Sequence, residues 1–359
     1  MLLDPKTLDL IPSAADLLAD LDGDRRFKQE LPASQLEILT EPTESAAEAI
    51  GALATGRGDL VAAAADRARI VAAGVHPFAA AEGELSSSER YESTHAEYGP
   101  VARRQLVASL QVHVAVGGAE RTLRVYNALR GYLPEIAALA ANAAIYEGGD
   151  TGFASVRPKI AEALPRQGVP PIIESWEAYA AELRWGATSG GVTEPRLWWW
   201  ELRPHPAFGT LEIRVPDAQS ILADAAAIAA FSHALVALLA ERHDADEELE
   251  EVPSWRIEEN RWSAARHGVE GEMADLRTGE RQPTRDRLED LVAELEPISR
   301  RLGSAEMLGQ ARELIQRNGA IRQRELVRSG GPRALTAWLA EHFLDPVTFA
   351  PGSESAGAG

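Results

Sequence analysis

Residues 197–217, LWWWELRPHPAFGTLEIRVPD, read as two β-segments, Leu197–Arg203 and Thr210–Val215, joined by the turn Pro204-His205-Pro206-Ala207-Phe208-Gly209. Successive side chains along a strand point to opposite faces. In the second segment Leu211, Ile213 and Val215 therefore point one way, and Thr210, Glu212 and Arg214 the other. In the first, Trp199, Glu201 and Arg203 share a face. Two further segments repeat the pattern. Leu110–Val116, ended by Gly117-Gly118, puts Gln111 and His113 on one side, and Glu30–Thr40 sets Glu37 opposite Leu36 and Ile38.

If these polar sides coincide, the sheet gains a floor of carboxylate, imidazole and guanidinium. Carboxylates hold Mg²⁺, the ion bridges phosphate oxygens, and Arg neutralises charge that develops in phosphoryl transfer. An antiparallel sheet with one wet face alternates in the same way, and cross-strand Glu–Arg pairs stabilise it modestly. Periodicity alone does not separate these two readings.

Outward from the strands the chain is helical. Glu44–Ala73 is rich in Ala with apolar residues at helical spacing, and Ser45 is placed to cap it. Ala119–Ala143 forms a long helix interrupted at Pro134, and Trp176–Leu183 a short one. Beyond Asp217 the pattern predicts helices over 218–242, 258–268, 286–302, 304–317, 321–328 and 332–342. The apolar run Ser220–Ala240 contains Asp224 and His233 and owes much of its apolarity to Ala, so it reads as a buried helix, not a membrane span. This distribution predicts an α+β fold, with one sheet covered by helices on one side. Residues 1–345 form a single domain in this reading, strand-containing over 1–217 and helical over 218–345. The stretch 346–359 is a flexible tail.

Composition narrows the chemistry. The chain has 36 Lys and Arg against 55 Asp and Glu, a net charge of −19. So acidic a surface repels phosphate backbones and anionic lipid, which argues against nucleic-acid and membrane partners. Cysteine is absent, excluding disulfides, thiolate nucleophiles and zinc ribbons and leaving hard ions such as magnesium or manganese. The opening MLLDPKTLDL lacks the features of a secretory signal, which points to the cytoplasm.

The segments LLDPKTLDL, ELPASQLEILT, AAGVHPF, LQVHVAVGG, YLPEIAALAANA, GGDTGFASVRP, WWWELRPHPAFGTLEIRVPDA and ENRWSAARHGVEG follow one another between Leu3 and about Arg324. In that order and spacing they resemble the carboxylate–amine ligase branch of the glutamate–cysteine ligase (type 2) family. The resemblance implies a glutamine-synthetase-like catalytic domain, whose curved antiparallel sheet holds ATP and Mg²⁺ on its concave face. It also implies amide formation through an acyl phosphate, joining a carboxylate such as the γ-carboxylate of glutamate to an amine such as cysteine or another amino acid. Small molecules are then the partners, and related proteins suggest a homodimer.

Residue by residue, the resemblance assigns Glu37, His113 and Glu212 to metal, and Arg203 and Arg214 to catalysis and to phosphate or substrate carboxylate. Arg157 is a further candidate for nucleotide, set against an ordinary loop anchor. His76 reads as a turn cap, and Trp199 and Trp200 as packing. Two departures stand out. The family's GxExEF strand does not precede Leu3, and Gln111 stands where more distant relatives carry a metal-binding His. Glu201 replaces the usual Asp, and Ala143-Ala144 the usual Ser-Pro. The alternative is therefore a catalytically degenerate homologue that binds nucleotide or a partner without turnover; a metal-dependent amide hydrolase is a third reading.

Overall fold

The computed structural model describes residues 1–192 and 197–347; most of the tail expected at 346–359 lies outside them. The chain opens with β1 (Leu2–Leu3), α1 (Ala14–Asp20) and the antiparallel pair β2 (Phe27–Gln29) and β3 (Leu36–Ile38). Helix α2 (Ala46–Ala64) follows, with the Ser45 hydroxyl accepting from the Glu48 amide. It stops short of the expected Ala73. The backbone turns out at Ala65 (φ 46) into β4 (Arg69–Ile70), which pairs with β1.

Helix α3 (Glu89–Tyr98), whose Ser88 cap accepts from the Tyr91 amide, precedes β5 (Val112–Ala115). Helices α4 (Ala119–Leu129) and α5 (Leu133–Leu139) are the two halves expected around Pro134, separated by a 3-10 turn. The glycine-rich stretch holds β6 (Ile145–Tyr146), β7 (Gly149–Asp150) and α6 (Arg157–Ala161). Helix α7 (Trp176–Ser189) runs beyond the expected Leu183 to a left-handed Gly190 cap.

Strands β8 (Leu202–His205) and β9 (Thr210–Ile213) complete the sheet described below. Then come α8 (Leu222–Asp244), α9 (Ser254–His267), β10 (Glu272–Ala274), β11 (Arg281–Pro283), α10 (Thr284–Arg301), α11 (Ala305–Arg317) and α12 (Gly319–Glu341). Gly331 (φ 79) breaks α12 before Pro332, at the boundary expected between the last two helices.

The described strands form a three-stranded antiparallel sheet, in the order β5-β9-β8, and four two-stranded ladders. This is the expected α+β class. Strand β8 starts later than the sequence suggested and takes in Pro204 and His205. Pro204 is tolerated because β8 is an edge strand, where a missing N–H breaks no second ladder.

The apolar face of the sheet, Leu202, Leu211, Ile213 and Val114, merges with α8 and its neighbours α4, α10 and α11 into the largest core cluster. Each such side chain contributes about 1.5–3 kcal/mol by leaving water. Helix α8 is long and apolar enough to cross a membrane, but Ile228, Phe231 and Leu235 are fully buried at the centre of this core. Helices thus cover one side of the sheet and leave its polar side to the site.

Helix α12 is locked to the core through Asn142, whose Nδ2 donates to the Ala218 carbonyl while its Oδ1 accepts from Gln323. A Cβ on Gly319 would lie 2.2 Å from that Oδ1 and 2.5 Å from its Cγ. Gly319→Ala is accordingly expected to cost about 2 kcal/mol, as other forced insertions into packed interiors do. An unchanged urea midpoint would show that Asn142 can move away freely.

Candidate active site

Register brings the predicted residues together. His113 on β5 stands opposite Glu212 on β9, which stands opposite Arg203 on β8. Arg214, just past the end of β9, follows Glu212 by two residues. Glu212 is 1% exposed, and its carboxylate is gripped from two sides. Arg203 donates from Nε to Oε2 at 2.5 Å and from Nη2 to Oε1 at 3.1 Å, and Arg214 donates from Nη1 to Oε1. Arg203 also donates to the Trp198 carbonyl at 2.9 Å. Burial pushes the Glu212 carboxyl up, but Arg214 and Arg203 more than offset it and hold its pKa at about 2.

His113 sits beside this cluster, its Nε2 3.9 Å from Glu212 Oε1 and its Nδ1 3.0 Å from the Thr210 hydroxyl. Burial lowers its pKa against the pull of Glu212, so the imidazole is neutral at pH 7. His205 and the exposed Phe208 stack with ring centroids 4.2 Å apart, and both meet His113 edge-on. They make an aromatic wall beside the charged cluster.

Glu37 belongs to a different ladder, opposite Lys28 on β2. It is half-buried, and burial, with help from Glu30, raises its carboxyl to about 7. The charges of Arg214 and Glu212 both act on it, so it faces the same region. Among the described residues, however, it makes no ion pair with either.

A magnesium ion asks for free oxygen donors in near-octahedral array. Both oxygens of Glu212 are already bonded to guanidiniums, whose charge repels a cation, and His113 Nδ1 is bonded to Thr210. Among the described residues no group of three or more His, Asp and Glu side chains gathers to hold a metal ion. Glu37, His113 and Glu212 therefore approach one region, but the arrangement does not fit them as a joint magnesium site.

Arg157 lies apart from Glu212. Its Nε donates to Asp217 at 2.6 Å and its Nη2 to the Val215 carbonyl at 2.5 Å, and it is 8% exposed. Its guanidinium anchors the end of the site strand. His76 is a cap, as expected: its Nδ1 accepts from the Phe78 and Ala79 amides, and its Nε2 meets the Leu8 carbonyl. Trp198, which sequence reading left unassigned, stacks with Trp200.

Sequence reading also missed Arg261 on α9, which clamps the buried Glu201 with its Nε 2.7 Å from Oε2. No spacing rule joins a helix residue to a carboxylate so far away in the chain. Asp217, too, passed unnoticed as a hub that accepts from the Asn142 amide, the Ser155 hydroxyl and Arg157.

Fold and site together define an α+β protein with arginines converging on the polar face of a small antiparallel sheet. Residues 4–337 match the model of glutamate–cysteine ligase family 2, and the chain belongs to that family of ligases. A protein of Rubrobacter xylanophilus provisionally named glutamate–cysteine ligase 2-3 is 39% identical over 348 residues, covering 95% of this chain and 94% of that one. A Thermobifida fusca protein provisionally named glutamate–cysteine ligase 2 is 33% identical over 329 residues, 91% of this chain and 82% of that one. The fold also matches a solved glutamate–cysteine ligase of Francisella tularensis in complex with AMP. There the TM-score is 0.65 at 12% identity, over 90% of this chain and 82% of that one. A bifunctional glutathione synthetase of Pasteurella multocida matches with a TM-score of 0.56 at 16% identity, over 89% of this chain and 46% of that one.

Proposed function

We propose that the protein is an ATP-dependent ligase that joins a carboxylate to an amine, with the γ-carboxylate of glutamate and the amine of cysteine as first candidates. A carboxylate oxygen attacks the γ-phosphorus of ATP, giving an acyl phosphate and ADP. The amine then attacks the acyl carbon, loses its proton, and expels phosphate to leave the amide. Family membership supports the reaction class, and the relatives' names support the substrates.

The observation that carries the reading is the pair of guanidiniums fixed on buried Glu212. Arg214 and Arg203 are placed to hold phosphate or substrate carboxylate and to neutralise charge developing on the transferred group. Arg157 contributes by anchoring the strand, not by touching nucleotide. Magnesium would enter as the counter-ion that the nucleotide carries, since both oxygens of Glu212 are engaged by arginines. We place the reaction in the cytoplasm, where ATP and free amino acids are available.

ADP release should require both a carboxylate and an amine substrate, measured by coupled assay with glutamate and a panel of amino acids. No ADP with any pair would end the proposal. It would favour the second reading, binding without turnover, which the engagement of Glu212 by two arginines also supports.

A further inference from the structure

We propose that Arg261 and Glu201 are positioning residues for Arg214: their buried ion pair fixes the backbone carbonyl to which the Arg214 amide is bonded, and so sets where that guanidinium meets its ligand. The inference rests on the reading of Arg214 as a ligand-binding residue and adds what holds it in place.

Arg214 lies one residue past the end of β9, outside the ladder that aligns Glu212 with Arg203. Its amide donates to the Glu201 carbonyl at 2.8 Å. Glu201 in turn lies one residue ahead of β8, and its own amide leaves the ladder for the Gly168 carbonyl at 3.0 Å. The two strands therefore part at this pair. A ladder end opens more easily than its middle unless something outside holds it.

Arg261 is that outside hold. It projects from α9, and its Nε donates to Glu201 Oε2 at 2.7 Å while its Nη2 donates to Oε1. Both side chains are 9% exposed. Parallel N–H···O contacts from one guanidinium fix direction as well as distance, which a single ammonium contact does not. The helix is itself pinned on either side of Arg261. The Asn260 side chain exchanges hydrogen bonds with Ala274 of β10 at 2.7 and 2.8 Å, and the Ala265 carbonyl accepts from the Ser155 amide at 3.0 Å. Glu201 is thus tied by amide, carbonyl and carboxylate to separate parts of the chain.

Energetics sets this pair apart from a plain stabilising contact. The cost of burying two charges offsets much of their attraction, and well-packed apolar side chains of similar volume do as well or better. An apolar pair cannot supply a fixed direction. Misplacing a ligand-binding group by about 1 Å lowers turnover on the order of 10²-fold, so direction is what the reaction would miss.

Arg261→Met, Arg261→Lys and the double variant Glu201→Met/Arg261→Met test this against the parent. Arg261→Met strands a buried carboxylate and should lower the urea midpoint, and the double variant removes that charge and should recover most of the loss. In the folded double variant, hydrogen exchange at the Arg214 amide should quicken about tenfold or more, while amides inside β9 stay within about threefold. Its kcat/KM for ADP release with glutamate and cysteine should stay about tenfold or more below the parent despite the recovered midpoint. Arg261→Lys keeps the charge, loses the fork and should fall between.

Unchanged exchange at Arg214 overturns the proposal, and so does turnover that returns with the midpoint to within about threefold of the parent. If the double variant does not fold, Arg261→Lys carries both readouts. If the parent itself releases no ADP, the ligase reading fails and the exchange result alone decides this one.

Discussion

Glu212→Gln should abolish ADP release, by on the order of a thousandfold, while leaving a folded protein. The carboxylate holds two guanidiniums at once, through three N–H···O contacts to its two oxygens. Gln offers one acceptor oxygen and one NH₂. The oxygen can keep one arginine, but the NH₂ meets the other donor to donor and turns it away. Removing a single preorganised donor from a transition-state oxyanion costs about 10²–10³ in rate, and here the second arginine is disturbed too.

Stability should respond in a way that separates the two effects. The pKa of Glu212 is held at about 2, against 4.5 when unperturbed. Because the folded value is depressed, its stabilisation is complete above pH 4.5 and lost as pH falls through about 2. The size is on the order of 3 kcal/mol. Glu212→Gln removes that contribution at neutral pH and flattens the acid limb of the unfolding curve between pH 4.5 and 2. Turnover within threefold of the parent at pH 7.5 would mean that the two arginines are not the catalytic pair.

The site strand itself was legible because its period-two code is unusually clean. Leu211 and Ile213 are fully buried, while Glu212 faces the arginines, as alternation alone required. Cross-strand neighbours then followed from register. Glu37 could be placed on a polar strand face but not against its partners. It pairs with Lys28 in a separate ladder, and no local pattern states how two ladders are juxtaposed. The very short strands were hidden for a related reason. Arg69–Ile70 is only two residues long and continues an Ala-rich helical run, so its pairing with Leu2–Leu3 is a purely tertiary event.

The metal roles turn on a different level of structure. Residue types at Glu37, His113 and Glu212 suit magnesium, but whether a carboxylate is free depends on which guanidiniums reach it. Arg203 and Arg214 were read as ligand binders, and their first partner proved to be Glu212 itself. Asp217 escaped notice because it follows Pro216 at a strand end, where an acidic residue usually means a turn.

Asp217→Ala is expected to cost about 3–5 kcal/mol, the larger of the two stability effects, because it strands a buried cation. Asp217 is 2% exposed and the Arg157 side chain 9%. Truncation leaves Arg157 with only the Val215 carbonyl, and it also orphans the Asn142 amide and the Ser155 hydroxyl. Asp217→Asn keeps an acceptor oxygen but no charge, and should fall between parent and Ala. Adding Arg157→Met to Asp217→Ala removes the stranded charge and should recover about 2 kcal/mol, a coupling that urea midpoints of all four proteins would measure. The same cycle decides what Arg157 does. As a strand anchor it loses stability together with Asp217, and calorimetric nucleotide binding per folded molecule stays unchanged in Arg157→Met. Additive midpoints, with tenfold weaker nucleotide binding in folded Arg157→Met, would instead make it a ligand contact and detach Asp217 from the support of the site.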